Sequence, residues 1–119
     1  MFQENLRKIV ENVEGGIAGV LMGFDGITVE QYTRQSSTMD INTVGMEFSF
    51  ILSQVRKAAE ALEVGGVQEV AIRAERLSII IRVLNSEYFL ALALDESGNF
   101  GKGRYLLRVA APKLQAELS

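Results

Sequence analysis

Residues 98–103 read GNFGKG, the stretch of this chain whose residue types come closest to cradling a phosphate, because glycine-rich turns present backbone N–H groups at helix N-termini. The spacing does not support that role. A P-loop places a glycine five positions before its Gly-Lys pair and a Ser or Thr after it, and those positions hold Glu96 and Gly103. The dinucleotide pattern fails as well, since Leu106 stands where the third glycine belongs. Capping of the next helix by Ser97 or Asn99 suits these residues better. Glu69, Glu75, Glu87, Asp95 and Glu96 border strand ends and could in principle do acid–base work or hold a divalent cation, but no spacing singles out a pair. Arg73, Arg76, Arg82 and Arg104 could each stabilise charge on a partner's phosphate, and nothing ranks them.

The composition removes several classes of function. With no cysteine and no histidine there is no disulfide, no thiol nucleophile, no zinc site of the usual kind and no imidazole-based triad. No nucleophile–base pair is identifiable, so an enzyme is not expected, nor is a cofactor or a metal. The net charge is −3, and the basic residues are scattered singly along the chain, which argues against nucleic acid or an anionic membrane as partner. Residues 89–94 form the longest apolar run, far too short for membrane insertion, and the charged N-terminus does not read as a signal peptide. At 119 residues and 48% hydrophobic content, residues 1–119 are expected to form a single domain with a real core, in the cytoplasm.

The elements that must position these residues centre on 66–95. Three apolar runs, 67–74, 77–84 and 88–94, are separated by polar breaks of two and three residues, as in an antiparallel meander. The last run is apolar on both faces, with Leu90, Leu92 and Leu94 opposite Phe89, Ala91 and Ala93, so helices must cover both sides. Residues 2–14 put Phe2, Leu6, Ile9 and Val13 on one helical stripe, stopped by Gly15 and Gly16. A strand over 16–23, an Asp25-Gly26 turn and a more polar edge strand over 27–33 follow. Asp40 can cap a helix running to about Val64, about 36 Å long, with Val44, Phe48, Ile51, Val55, Ala59 and Leu62 as its core stripe. A last helix carries Leu106, Leu107, Ala110, Ala111 and Leu114, and Pro112 predicts a kink or break in it. The fold class is α+β, an α/β/α sandwich in the order α-β-β-α-β-β-β-α. Its five-stranded antiparallel sheet carries the long second helix on one face and the first and last helices on the other.

Two stretches suggest contact with another chain. Met46 and Phe50 fall away from the centre of the core stripe, on a side continued by Gln54 and Lys57, and either widen the core contact or mark a surface for a second chain. The run Val67, Gln68, Glu69, Val70, Ala71, Ile72, Arg73 and Ala74 has no proline or glycine to blunt it as an edge strand. Glu69 and Arg73 lie on one face with opposite charge, so an antiparallel self-pairing centred between them gives attraction across the seam. Self-association through this edge is the expectation, and Ile72→Pro is expected to remove it.

Laid out this way, the sequence resembles the roadblock family, the dynein light-chain relatives, over almost its whole length. Gly16, Gly19 and Leu21 leading into Asp25, Gly26 and Val29 look like that family's first hairpin. Asp95 followed by Asn99, Gly101 and Arg104 looks like its entry to the last helix. The match is closest to the prokaryotic members, whose best-known type regulates a Ras-like polarity GTPase. The resemblance implies a homodimer joined through the third strand, with the two long helices side by side as a platform for a small GTPase or another roadblock-domain protein. Met46, Glu47, Phe50, Gln54 and Lys57 would then belong to the dimer seam or to the partner contact. It supplies no catalytic residue. The alternatives are a small-molecule sensor or a general scaffolding domain of similar architecture; a sensor needs a cavity beneath the sheet with convergent polar groups.

Overall fold

The structure is a computed structural model that describes residues 2–118. Its elements are α1 (Phe2–Glu11), β1 (Gly16–Gly23), β2 (Thr28–Thr33), α2 (Ile41–Leu62), β3 (Glu69–Arg73), β4 (Leu77–Val83), β5 (Tyr88–Asp95) and α3 (Phe100–Leu118). The strands form one antiparallel sheet in the order β2-β1-β5-β4-β3, so the expected element order and sheet are those observed. β5 lies at the centre and is buried on both faces, as its leucine and alanine rows require. Leu90, Leu92 and Leu94 join one core with Leu6, Ile9 and Val10 of α1 and Leu107, Ala111 and Leu114 of α3. Phe89, Ala91 and Ala93 join a second core with Ile41 and Leu52 of α2.

The chain reaches its two sheet edges consecutively, because β2 and β3 are neighbours in sequence and opposite borders in space. α2 makes that crossing. Its 22 residues span about 33 Å, against about 19 Å for five strands, and residues 63–68 complete the passage to β3. Asp40 caps it as expected: its carboxylate accepts hydrogen bonds from the Asn42 and Thr43 N–H groups at 3.1 and 3.4 Å and from the Thr43 hydroxyl at 2.9 Å. The helix ends at Leu62 and not at Val64, because Glu63 turns into the left-handed conformation and the Val64 N–H bonds back to the Ala59 carbonyl.

Other boundaries differ from expectation for local reasons. α1 stops at Glu11, and Val13 is buried in the turn that follows it. Gly15 closes that turn at φ +77°, where a Cβ would stand 2.4 Å from the Gly98 Cα, so the α1–β1 turn and the β5–α3 loop meet backbone to backbone. α3 runs unbroken through Pro112, against the expected break. Pro112 and Arg108 are both exposed, so the carbonyl that loses its partner is on the solvent side.

The Asp40 cap gives a pH-dependent prediction. The Thr43 hydroxyl, then the Thr43 and Asn42 N–H groups, hold its carboxyl below the ordinary carboxylate range. A depressed folded value stabilises the protein above the unfolded value and loses that contribution as pH falls through the folded one. Asp40→Asn keeps a neutral cap, so its stability deficit against the parent chain should shrink between about pH 7 and about pH 3 in urea unfolding. A deficit that stays constant would mean that ionisation of Asp40 plays no part.

Candidate interaction surface

β3 is an open edge built from an uninterrupted ladder. The Ala74 N–H bonds to the Leu77 carbonyl and the Val83 N–H to the Gln68 carbonyl, which fixes the alternation of the β3–β4 pairing. Gln68, Val70, Ile72 and Ala74 therefore turn their backbone groups towards β4. Glu69, Ala71 and Arg73 turn theirs away from the sheet. Ile72→Pro would consequently damage the subunit's own ladder and leave the outward row intact, which corrects the expectation above; Ala71 is the position that tests the edge. β2, the opposite border, interrupts its ladder at Val29, where the register shifts between Leu21 and Met22.

The two faces of β3 differ in chemistry. Val70 and Ile72 pair with Ile81 and Ile79 on the α2 side, and Val67 and Val70 pack against that core. Glu69 and Arg73 lie on the α3 side. The Glu69 carboxylate accepts from Arg104 Nε at 3.0 Å and Nη2 at 2.7 Å, and Arg73 stands 4.8 Å above the Phe100 ring. That pairing holds the Arg104 guanidinium more firmly in its charged form. Gln68, Ala71, Arg73 and Ala74 are exposed.

α2 presents a second apolar face to solvent. It meets the sheet along Ile41, Gly45, Ser49 and Leu52; a Cβ on Gly45 would lie 2.8 Å from Met22 Cε, so a small residue sets this contact. Met46, Glu47, Phe50, Gln54 and Lys57 are brought together on the exposed side, with Phe50 69% accessible. The option that Met46 and Phe50 widen the core contact is thereby set aside. Ile51 and Leu62, placed in the core stripe by periodicity, are also exposed, Leu62 at 72%, and so is Val64 just past the helix end. The missed signal was the small pair Gly45 and Ser49, which marks the contact line where the large residues do not.

Several of the candidate groups are held in a turn, a helix cap and an ion pair. No cluster of three or more Asp or Glu side chains suited to a metal ion occurs among the described residues. Asp95 accepts from the Ser97 N–H and hydroxyl, and Asn99 Oδ1 accepts from the Lys102 N–H, so the glycine-rich loop is a turn and a helix cap. Gly103 packs against Ile80, Leu92 and Leu94. Leucine, isoleucine and phenylalanine side chains fill the spaces beneath both helical layers, leaving the concavities at the surface. No helix among the described residues is long and apolar enough to cross a membrane.

No family model and no curated protein matches the chain. Solved structures do. MglC from Myxococcus xanthus is 45% identical over 98% of both chains, with a TM-score of 0.72. A Roadblock/LC7 domain from Streptomyces avermitilis is 15% identical over 98% of this chain and 96% of that one, with a TM-score of 0.86. The gliding protein MglB from Thermus thermophilus is 18% identical over 98% and 88%, with a TM-score of 0.85.

The division of α2 into a buried and an exposed face is open to a direct comparison. Leu52→Ala should lower unfolding free energy by about 2–5 kcal/mol. Leu62→Ala, measured at the lowest workable protein concentration, should stay within about 0.5 kcal/mol of the parent. Equal losses would place Leu62 back in the core.

Proposed function

The chain belongs to the roadblock/LC7 family, and on that premise we propose that it is a homodimeric, non-catalytic, cytoplasmic binding module that regulates or scaffolds a Ras-like small GTPase. The observation that carries this reading is the outward backbone row of Glu69, Ala71 and Arg73 beside the exposed apolar face of α2. Two copies joined antiparallel about Ala71 continue the sheet from one subunit to the next, with Glu69 opposite Arg73 of the second copy. The α2 helices then come side by side, and the row of Phe50, Ile51, Leu62 and Val64 supplies the apolar area that an edge strand alone lacks. A stable contact of this kind buries roughly 1,600 Å² in total.

The GTPase enters through the family resemblance, and two features agree with it. Met46, Glu47, Phe50, Gln54 and Lys57 form a mixed apolar and charged surface, suited to a partner that binds and leaves. The chain also has no identifiable nucleophile–base pair, so any effect on hydrolysis would come from repositioning the GTPase's own elements. Another roadblock-domain protein is the second partner this surface suits; an MglB structure of tetrameric arrangement is among the similar folds.

Sedimentation velocity tests the dimer. The parent chain should sediment as a dimer, and Ala71→Pro, which removes an outward donor and spares the bonds to β4, should give folded monomers. A dimer that survives Ala71→Pro would place the contact elsewhere.

Pull-down against Ras-like GTPases of bacterial or archaeal kind, loaded with GDP or a non-hydrolysable GTP analogue, tests the partner. Retention in one nucleotide state is expected, together with its loss in Phe50→Asp. Binding in neither state would leave the fold shared and the GTPase role unsupported.

A further inference from the structure

The α3 side of the β3 edge is basic where the α2 side is apolar. Arg82 of β4 and Arg104 and Arg108 of α3 line a groove of about 410 Å³ with Gln68, Glu69 and Tyr105. Three guanidinium groups against one carboxylate invert locally the charge of a chain whose net charge is −3. That one carboxylate is already committed, since Glu69 takes three hydrogen bonds from Arg104. Arg108 has a looser contact, 5.7 Å above the Tyr105 ring.

Arg82 is the decisive residue. Its Nε is shut off from solvent and has no hydrogen-bond partner among the described residues. A buried donor on a charged group with no acceptor is costly, and turning the Arg82 side chain towards an oxygen in the groove removes that cost. The guanidinium fork is shaped for the paired oxygens of a carboxylate. Arg104 and Arg108 stand one helical turn apart, about 6 Å, on an exposed helix face, so the groove offers successive cations along an open line and not an enclosed chamber.

We propose that this groove binds an acidic peptide segment of a protein partner, with its carboxylates on Arg82 and Arg108. The site lies on the face of the sheet opposite the α2 platform. It needs neither the dimer nor a GTPase, and its failure would leave that reading untouched.

The test is a titration of the full chain, followed by NMR of the arginine side-chain Nε–H groups, with a synthetic peptide of alternating Glu and Gly. The Arg82 and Arg108 signals should shift, and binding should weaken as salt rises. The same peptide with Gln for Glu should give no shift. Arg82→Gln and the exposed Arg108→Gln should each weaken binding by roughly tenfold, whereas Arg56→Gln, on the α2 side, should leave it unchanged. If Arg82→Gln does not fold, Arg108→Gln and the Arg82 signal of the parent chain still decide. No shift at Arg82, parent-like binding by Arg108→Gln, or displacement of the peptide by equimolar inorganic phosphate would each overturn the proposal, the last by making this a small-anion site.

Discussion

Every backbone N–H and C=O in a sheet needs a partner, and among the described strands the two borders, β2 and β3, each have a strand neighbour on one side only. β1, β5 and β4 satisfy one another from both sides. β2 is a border too, but its bulge at Val29 breaks the straight run of groups that another strand would need. β3 has no such interruption, and Glu69, Ala71 and Arg73 leave their backbone groups to water or to another chain. The chain travels from the interrupted border to the open one through a single helix, so the segment that links the two borders is also the one that carries the exposed apolar face.

The same geometry explains why α2 keeps large apolar residues on its outer side. A helix that crosses a sheet closely needs small residues where it touches, and Gly45 serves that purpose against Val20 and Met22, with Ser49 buried one turn on. The bulky residues are then displaced to the flanks. Val44 and Phe48 remain partly buried against the sheet, while Met46, Phe50, Ile51 and Leu62 stand in solvent.

Much of the fold was legible from period and punctuation. The double-sided apolarity of residues 88–94 demanded two helical layers, and the Asp25-Gly26 turn and the Asp40 cap stand where their chemistry puts them. What was not legible follows from physics that a one-dimensional pattern omits. Hydrophobicity ranks Leu62 and Ile51 above Gly45 and Ser49 as core residues, yet closeness of approach decides the contact. Proline rules predict a break at Pro112, but an exposed turn can leave the Arg108 carbonyl to solvent. The alternation of ladder bonds, which moves the informative proline from Ile72 to Ala71, depends on pairing that only the three-dimensional register supplies. The basic groove was invisible for a similar reason. Arg82 and the pair Arg104 and Arg108 are far apart in sequence, and scattered single arginines become a cluster only when α3 folds back across β4.

Alternation along β3 ties these surfaces together. Successive side chains of one strand serve opposite faces, so Val70 and Ile72 belong to the apolar α2 side and Glu69 and Arg73 to the charged α3 side. Arg104 closes on Glu69 and Arg73 lies over Phe100, so the position of α3 is coupled to the strand that carries the open edge. Whatever pairs with β3 therefore meets a strand packed on one face and ion-paired on the other. The alternating side chains of Glu69–Arg73 are thus where the apolar and the charged sides of this protein meet.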